Sequence, residues 1–256
     1  MPELDGKVAV VTGGSKGIGR AIALALAEEG ADVVLAARGP EALEETAKEV
    51  EERGRRALPV PTDVTDPDQC RALVERTTSE LGGLDVLVNN AGGAPFLSTF
   101  ESARLEGWEK YFRITFTGAV YCTHAAAPVL VERGTGTVIN VASVAAFIAS
   151  PGLTYYAAAK AALVSFTKTL AREWAPHGVR VNAIAPGFVE TDMNVVARQD
   201  PAFYESIRSQ IPLGRWGTAG DVAGVARFLV SDAASWMTGS VVVIDGGQSL
   251  SVLSGQ

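Results

Sequence analysis

Cysteine and histidine are scarce: the 256 residues hold two of each. Cys70 and Cys122 are too few for a disulfide framework and read as small buried apolar residues. His124 and His177 have no Cys, Asp or Glu at ligand spacing, which argues against a metal site. Basic charge is also short. With 22 Lys and Arg against 29 Asp and Glu, the formal net charge is −7, which argues against a general nucleic-acid surface. A local basic spot for a small phosphate remains compatible with it. The chain has no serine or proline tract, no charge block, no low-complexity run and no repeat, so a single domain over 1–256 is expected. Met1-Pro2-Glu3-Leu4-Asp5-Gly6 is acidic and lacks an apolar signal core, and no apolar run approaches the length that spans a bilayer. The expectation is a soluble cytoplasmic protein without nucleic-acid or membrane partners. Trp108, Trp174, Trp216 and Trp236 are scattered and read as core or rim packing.

Apolar residues are plentiful, at 47%, and they are organised around one stretch. Val8-Ala9-Val10-Val11 leads into Thr12-Gly13-Gly14-Ser15-Lys16-Gly17-Ile18-Gly19, and an alanine-rich run of helical period leaves it. That order reads as strand, tight turn, helix. Such a turn aims the free N–H groups of the helix, and the positive end of its dipole, beyond the strand, where a diphosphate fits. Gly13 permits the turn, Gly17 lets a phosphate approach, and Gly19 lets the helix pack close to the strand.

Strands and helices then alternate to the end. Strands are read at Asp32–Ala36, Ala57–Pro61, Leu84–Asn89, Thr137–Val141, Arg180–Ala185 and Val241–Ile244. Helices are read at Pro40–Arg53, from Asp66-Pro67 to Leu81, Trp108–Val131, Tyr155–Trp174, Pro201–Gln210 and Ala219–Ser231. Continuous apolar strands suit a sheet covered on both faces. An eight-stranded barrel competes with an open sheet, but seven strands and a glycine turn after the first favour the open form. The fold expected is α/β: one doubly wound, Rossmann-type domain with a seven-stranded, mostly parallel sheet. Ligands of such a sheet bind beyond the carboxyl ends of its strands.

Three residues at those ends form a chemical set. Tyr156 and Lys160 lie four apart on one helix face, separated by Ala157, Ala158 and Ala159, and Ser143 follows the fifth strand. Each alone has a plain reading, as amphipathic rim or as helix cap. Together, a lysine cation would lower the phenol's pKa from about 10. A serine hydroxyl would hold a carbonyl oxygen, and the tyrosine would give or take the proton of a hydride transfer.

With those residues in place, the chain resembles the short-chain dehydrogenase/reductase superfamily, in its TGxxxGIG and YxxxK branch. The resemblance spans nearly the whole chain: Thr12 to Gly19, Asp63-Val64, Asn89-Asn90-Ala91-Gly92, Ser143, Tyr156 with Lys160, Asn182 through Gly187, and Asp245-Gly246-Gly247. It implies a catalytic set of Ser143, Tyr156 and Lys160. It implies a cofactor held by Gly13, Ser15, Lys16, Gly17, Ile18 and Gly19 at the turn and by Asp63 and Val64 at the adenine. Asn90, Ala91 and Gly92 would line it, and Pro186, Gly187, Val189 and Thr191 would hold the nicotinamide carboxamide, with Tyr156 and Lys160 also in reach. The position that would carry a ribose-binding acid is Ala37, followed by Arg38. Arg38 and Lys16 converge on one phosphate, so NADP(H) is expected over NAD(H).

One position departs from the family pattern: Thr115 stands where many relatives carry an asparagine tied to a helix distortion and a proton-relaying water. Thr115 can bond back to a carbonyl one turn earlier but supplies no amide. By overall similarity the activity expected is reduction of a 3-oxoacyl thioester. The alternatives are a sugar, polyol or steroid dehydrogenase, and, in another class, a low-turnover nucleotide-binding sensor or scaffold. Phe96, Leu97, Phe147, Leu153, Phe188 and Met193 would line the substrate cleft, and residues 190–215 would cover it. Relatives are commonly tetramers, and the small-residue faces at Ala125-Ala126-Ala127 and Ala157-Ala158-Ala159 suit a homotetramer.

Overall fold

The structure is a computed structural model and describes residues 3–94 and 96–250. In chain order the elements are β1 (Val8–Thr12), α1 (Gly17–Glu28), β2 (Asp32–Ala37), α2 (Pro40–Glu51), β3 (Ala57–Pro61), α3 (Pro67–Leu81) and β4 (Val86–Asn89). There follow α4 (Leu105–Phe112), α5 (Gly118–Arg133), β5 (Gly136–Val141), α6 (Thr154–Trp174) and β6 (Val179–Pro186). The chain closes with α7 (Val195–Arg198), α8 (Pro201–Arg208), α9 (Ala219–Val230) and β7 (Val241–Ile244). One sheet holds all seven strands in the order β3-β2-β1-β4-β5-β6-β7. Every pairing is parallel. The expected doubly wound sheet is therefore the observed one.

The apolar runs bury on both faces because alternate side chains of each strand point to opposite layers. Ala9 and Val11 of β1 join Leu26 of α1, Leu43 of α2 and Leu229 of α9 on one face. Val8 and Val10 join Leu73 of α3, Leu130 of α5 and Leu170 of α6 on the other. Strand order reverses between β1 and β4, so their connections leave to opposite sides and a crevice opens at their carboxyl ends. Local signals hold where their chemistry is strong. Asp66 caps α3, its carboxylate accepting from the N–H groups of Asp68 and Gln69. Thr218 and Asp221 form a capping box on α9.

The helical stretch read as Trp108–Val131 begins earlier, at Leu105, and ends later, at Arg133; it is also interrupted. Between α4 and α5 lies one π turn, Arg113–Thr117. A π turn inserts one residue into the helical ladder and re-aims the side chains around it. Leu105–Arg133 is, by length and composition, apolar enough to cross a membrane; here Cys122, Ala126 and Leu130 pack into the core beneath the sheet. The tryptophans span both extremes: Trp216 is buried, whereas Trp236 is 99% exposed.

Candidate active site

At the end of β1 the glycines act as the turn requires. Gly13 has φ +65 and Gly17 φ +51, the left-handed region that favours glycine. A Cβ on Gly19 would stand 2.2 Å from the Gly13 carbonyl oxygen, so only glycine lets α1 start so close to β1. Ile18 packs its side chain against the core behind the turn. Helix α1 has no side-chain cap at Lys16 and no acid in its first turn. Its first N–H groups are thus left for an anion brought from outside.

Thr12 and Asn90 hold this turn in place. The Thr12 hydroxyl donates to the Val88 carbonyl (3.2 Å) and accepts from the N–H groups of Asn90 (3.0 Å) and Ala91 (3.1 Å). The Asn90 amide donates to the carbonyls of Thr12 (3.0 Å) and Gly13 (3.2 Å). The structure thus commits the Asn90 side chain to bracing the turn.

Outside the turn lies a cavity of about 660 Å³. Its walls bring together Gly13, Ser15 and Lys16 of the turn, Arg38 after β2, Asp63 and Val64 after β3, and Ala91 and Gly92 after β4. Asp63 accepts from the Thr65 N–H (2.9 Å) and hydroxyl (2.8 Å). These bonds, chiefly the backbone one, and the nearby Arg38 charge hold its carboxyl below the ordinary range against the opposing effect of burial. Lys16 and Arg38 are exposed, and among the described residues neither has a carboxylate within 4.0 Å. Glu41 and Glu45 face the same cavity. An uncapped helix end, a glycine cradle and two unpaired cations fit a dinucleotide with an added phosphate.

Ser143, Tyr156 and Lys160 do not line that cavity; they stand together beyond the carboxyl end of β5 and on α6. Ser143 follows β5 and does double duty. Its hydroxyl caps the following turn by accepting from the Ala145 N–H (3.2 Å), and it donates to the Pro186 carbonyl at the end of β6 (3.4 Å). Tyr156 is half-buried. Burial pushes its phenol up from the ordinary value, and the neighbouring Ser143 hydroxyl pulls it part-way back. Lys160 is 4% exposed; its Nζ donates to the Val141 carbonyl (2.5 Å) and lies 5.5 Å from the Tyr156 ring centroid. Burial pushes the Lys160 pKa down to about 7.

The expectation that Lys160 lowers the Tyr156 pKa is therefore not met in this state. Burial drives the ammonium itself towards neutrality, and the phenol's stabilising partner is Ser143. Thr115 also differs from expectation. It sits in the π turn, 1% exposed, and its hydroxyl has no hydrogen-bond partner instead of bonding back one turn. It points toward the cavity wall, where a Cβ on Gly92 would meet its Oγ1 at 3.1 Å. The distorted helix turn is thus present without an asparagine.

Residues after β6 close against the glycine turn and the loop after β4. The Gly187 N–H donates to the Ile244 carbonyl (2.9 Å), and a Cβ on Gly187 would stand 2.7 Å from the Asp245 side chain. Val189 is buried and bridges to Gly217. Thr191 caps the short turn Asp192–Asn194, and a Cβ on Gly17 would touch its side chain at 3.4 Å. Met193 reaches across the crevice, its Sδ 3.4 Å from the Ala94 N–H. Leu97, Phe147 and Met193 are at least half exposed. Phe188 instead packs on Trp216, with ring centroids 5.1 Å apart, and Phe96 on Tyr155, 4.5 Å apart. Thr12 opens the glycine motif, but its clasp to β4 is not legible in it, and Tyr155 carries only the signal of a second aromatic beside Tyr156.

Residues 13–249 match the family described as enoyl-(acyl carrier protein) reductase. A 3-oxoacyl-[acyl-carrier-protein] reductase of Thermotoga maritima is 39% identical over 95% of this chain and 98% of its own. The chain belongs to the short-chain dehydrogenase/reductase family. A short-chain type dehydrogenase/reductase from Mycobacterium marinum superposes with a TM-score of 0.92 at 40% identity, over 97% of this chain and 98% of its own. A gluconate 5-dehydrogenase from Burkholderia cenocepacia, solved in complex with NADP and tartrate, gives 0.93 at 34% identity, over 98% of each chain. The protein is accordingly an oxidoreductase of the CH–OH and carbonyl pair.

The buried Lys160 makes stability depend on pH. An unfolded lysine keeps its proton to about pH 10, whereas folded Lys160 loses it near 7. Between those values the unfolded chain binds more protons, so the penalty of burying Lys160 is greatest at and below pH 7 and lifts as pH rises. In urea unfolding of the cofactor-free protein, wild type should gain about 2 kcal/mol on Lys160→Met between pH 7 and 9. A gap that stays constant with pH would show that Lys160 is not held near neutrality.

Proposed function

We propose that the protein is an NADP(H)-dependent carbonyl reductase acting on a 3-oxoacyl thioester, with Ser143, Tyr156 and Lys160 as its catalytic residues. The observation that carries the reading is the grouping of Ser143 after β5, Tyr156 on the first turn of α6 and buried Lys160, whose Nζ lies 5.5 Å from the Tyr156 ring centroid. Ser143 holds the substrate carbonyl oxygen, and Tyr156 donates its proton to that oxygen as charge develops there. The nicotinamide, when bound, supplies the hydride. Lys160 lies beside the Tyr156 ring and, as the family resemblance implies, would reach the cofactor's ribose.

The turn residues Gly13, Ser15, Lys16, Gly17, Ile18 and Gly19 would take the diphosphate. Asp63 and Val64 would meet the adenine, and Asn90, Ala91 and Gly92 would form the adjoining wall. Pro186, Gly187, Val189 and Thr191 would hold the carboxamide. Lys16 and Arg38 supply the positive charge for a 2′-phosphate, and Ala37 places no acid against it. The exposed apolar trio Leu97, Phe147 and Met193 at the mouth suits an acyl chain better than a polyol. The relatives named for 3-oxoacyl substrates agree with that choice. Two free, buried thiols suit a reducing cytoplasmic compartment. The sugar dehydrogenase reading draws on the gluconate 5-dehydrogenase likeness, and the sensor reading on the substituted Thr115.

We further propose a homotetramer. Ala158 is exposed on α6, Ala125 and Ala127 are only partly buried on α5, and such small-residue faces allow helices of two subunits to approach closely.

Tyr156→Phe removes one oxygen and should lower kcat on a 3-oxoacyl thioester by roughly hundredfold to ten-thousandfold, with little change in NADPH affinity. Wild-type turnover in that variant would remove Tyr156 as the proton donor, and a wild type that binds NADPH but reduces no ketone or thioester would support the sensor reading. Arg38→Ala should raise the KM for NADPH at least tenfold and leave that for NADH nearly unchanged, because a phosphate–guanidinium pair is charge-assisted; equal effects on both cofactors would rule out a 2′-phosphate contact. Light scattering at micromolar concentration should give four times the chain mass, and a monomer would exclude the assembly.

A further inference from the structure

We infer that Tyr155 is a positioning residue, which pins the first turn of the catalytic helix to the loop after β4 and so sets where the Tyr156 hydroxyl stands. The inference rests on the proposed role of Tyr156. Tyr156 lies in the first turn of α6, and that turn has no side-chain cap: Leu153 occupies the capping position and offers no oxygen. First-turn N–H groups lack intrahelical partners, and an uncapped end frays. A catalytic group on such an end needs another constraint.

Tyr155 supplies it. Its side chain is 2% exposed and among the largest fully buried ones. Its hydroxyl donates to the Phe96 carbonyl at 2.8 Å. Its ring stacks on Phe96 at 4.5 Å and lies 5.9 Å from Tyr111 of α4. A backbone bond from the Ser98 N–H to the Gly152 carbonyl (3.0 Å) closes the same joint just ahead of the helix. The loop it grips begins at Gly92 in the cofactor wall and carries Ala94, against which Met193 closes from the opposite side. One planar peptide joins Tyr155 to Tyr156, so displacement of the first phenol is passed to the second. The mechanism gives Tyr155 no contact with substrate or cofactor.

Tyr155→Phe keeps the ring and removes the bond to Phe96; Phe96→Leu keeps the carbonyl and removes the stack. Each should lower kcat about tenfold or more, the scale of a small misplacement of a reacting group. NADPH affinity, read by fluorescence titration without substrate, should stay within twofold. The double variant should lose little more than the worse single one, since both act through one joint. Wild-type kcat in Tyr155→Phe, with or without a fall in Tm, would overturn the inference, as would fully additive losses in the double variant. Tyr156→Phe measured alongside separates the two ideas. Wild-type activity in Tyr155→Phe with an inactive Tyr156→Phe overturns the positioning role alone; wild-type activity in both overturns the catalytic reading itself.

Discussion

The hydroxyl of Thr12 is the point from which the site hangs. It bonds at once to the Val88 carbonyl and to the N–H groups of Asn90 and Ala91, and so fastens β1 to β4 where the strand order reverses. In a parallel sheet the strand ends on either side of that reversal diverge, and their backbone groups run out of ladder partners. Thr12 meets those groups with one side chain. The Asn90 amide returns the link by binding the carbonyls of Thr12 and Gly13. The glycine turn, the cavity outside it and the entry of α1 inherit their positions from this clasp.

A second polar chain crosses the core further along. The Asn89 amide donates to Thr123 of α5 (2.8 Å) and to Asn140 of β5 (2.9 Å), and the Asn140 amide donates to Thr167 of α6 (2.8 Å). In a dry interior such bonds are strong and their geometry is specific, because an unmade one leaves a desolvated group behind. The chain registers α5 and α6 against the same two strands. Those helices carry the π turn's exit and Lys160, so the ladder sets the floor beneath Ser143, Tyr156 and Lys160. Lys160 itself sits against the grain of its surroundings: it is buried and bonded to a single carbonyl, at the expense of its charge.

Much of this was legible in the residues. Apolar runs alternating with amphipathic stretches determine a parallel, two-sided sheet, because no other layering hides both strand faces. The positive-φ demands of Gly13 and Gly17 determine the turn, and helical spacing alone puts Tyr156 and Lys160 on one face. These are local rules, and they hold wherever the chain lies. Tertiary structure decided the rest. It gave the Asn90 amide to the turn, left the Thr115 hydroxyl buried and unpartnered in a π turn, and brought Phe96 onto Tyr155 across a gap of 59 residues. It also reversed the sense of the expected pKa shift at Tyr156. Charge spacing along a helix is written in the sequence, but desolvation depends on every element folded over the site, and at Tyr156 and Lys160 desolvation is the larger effect.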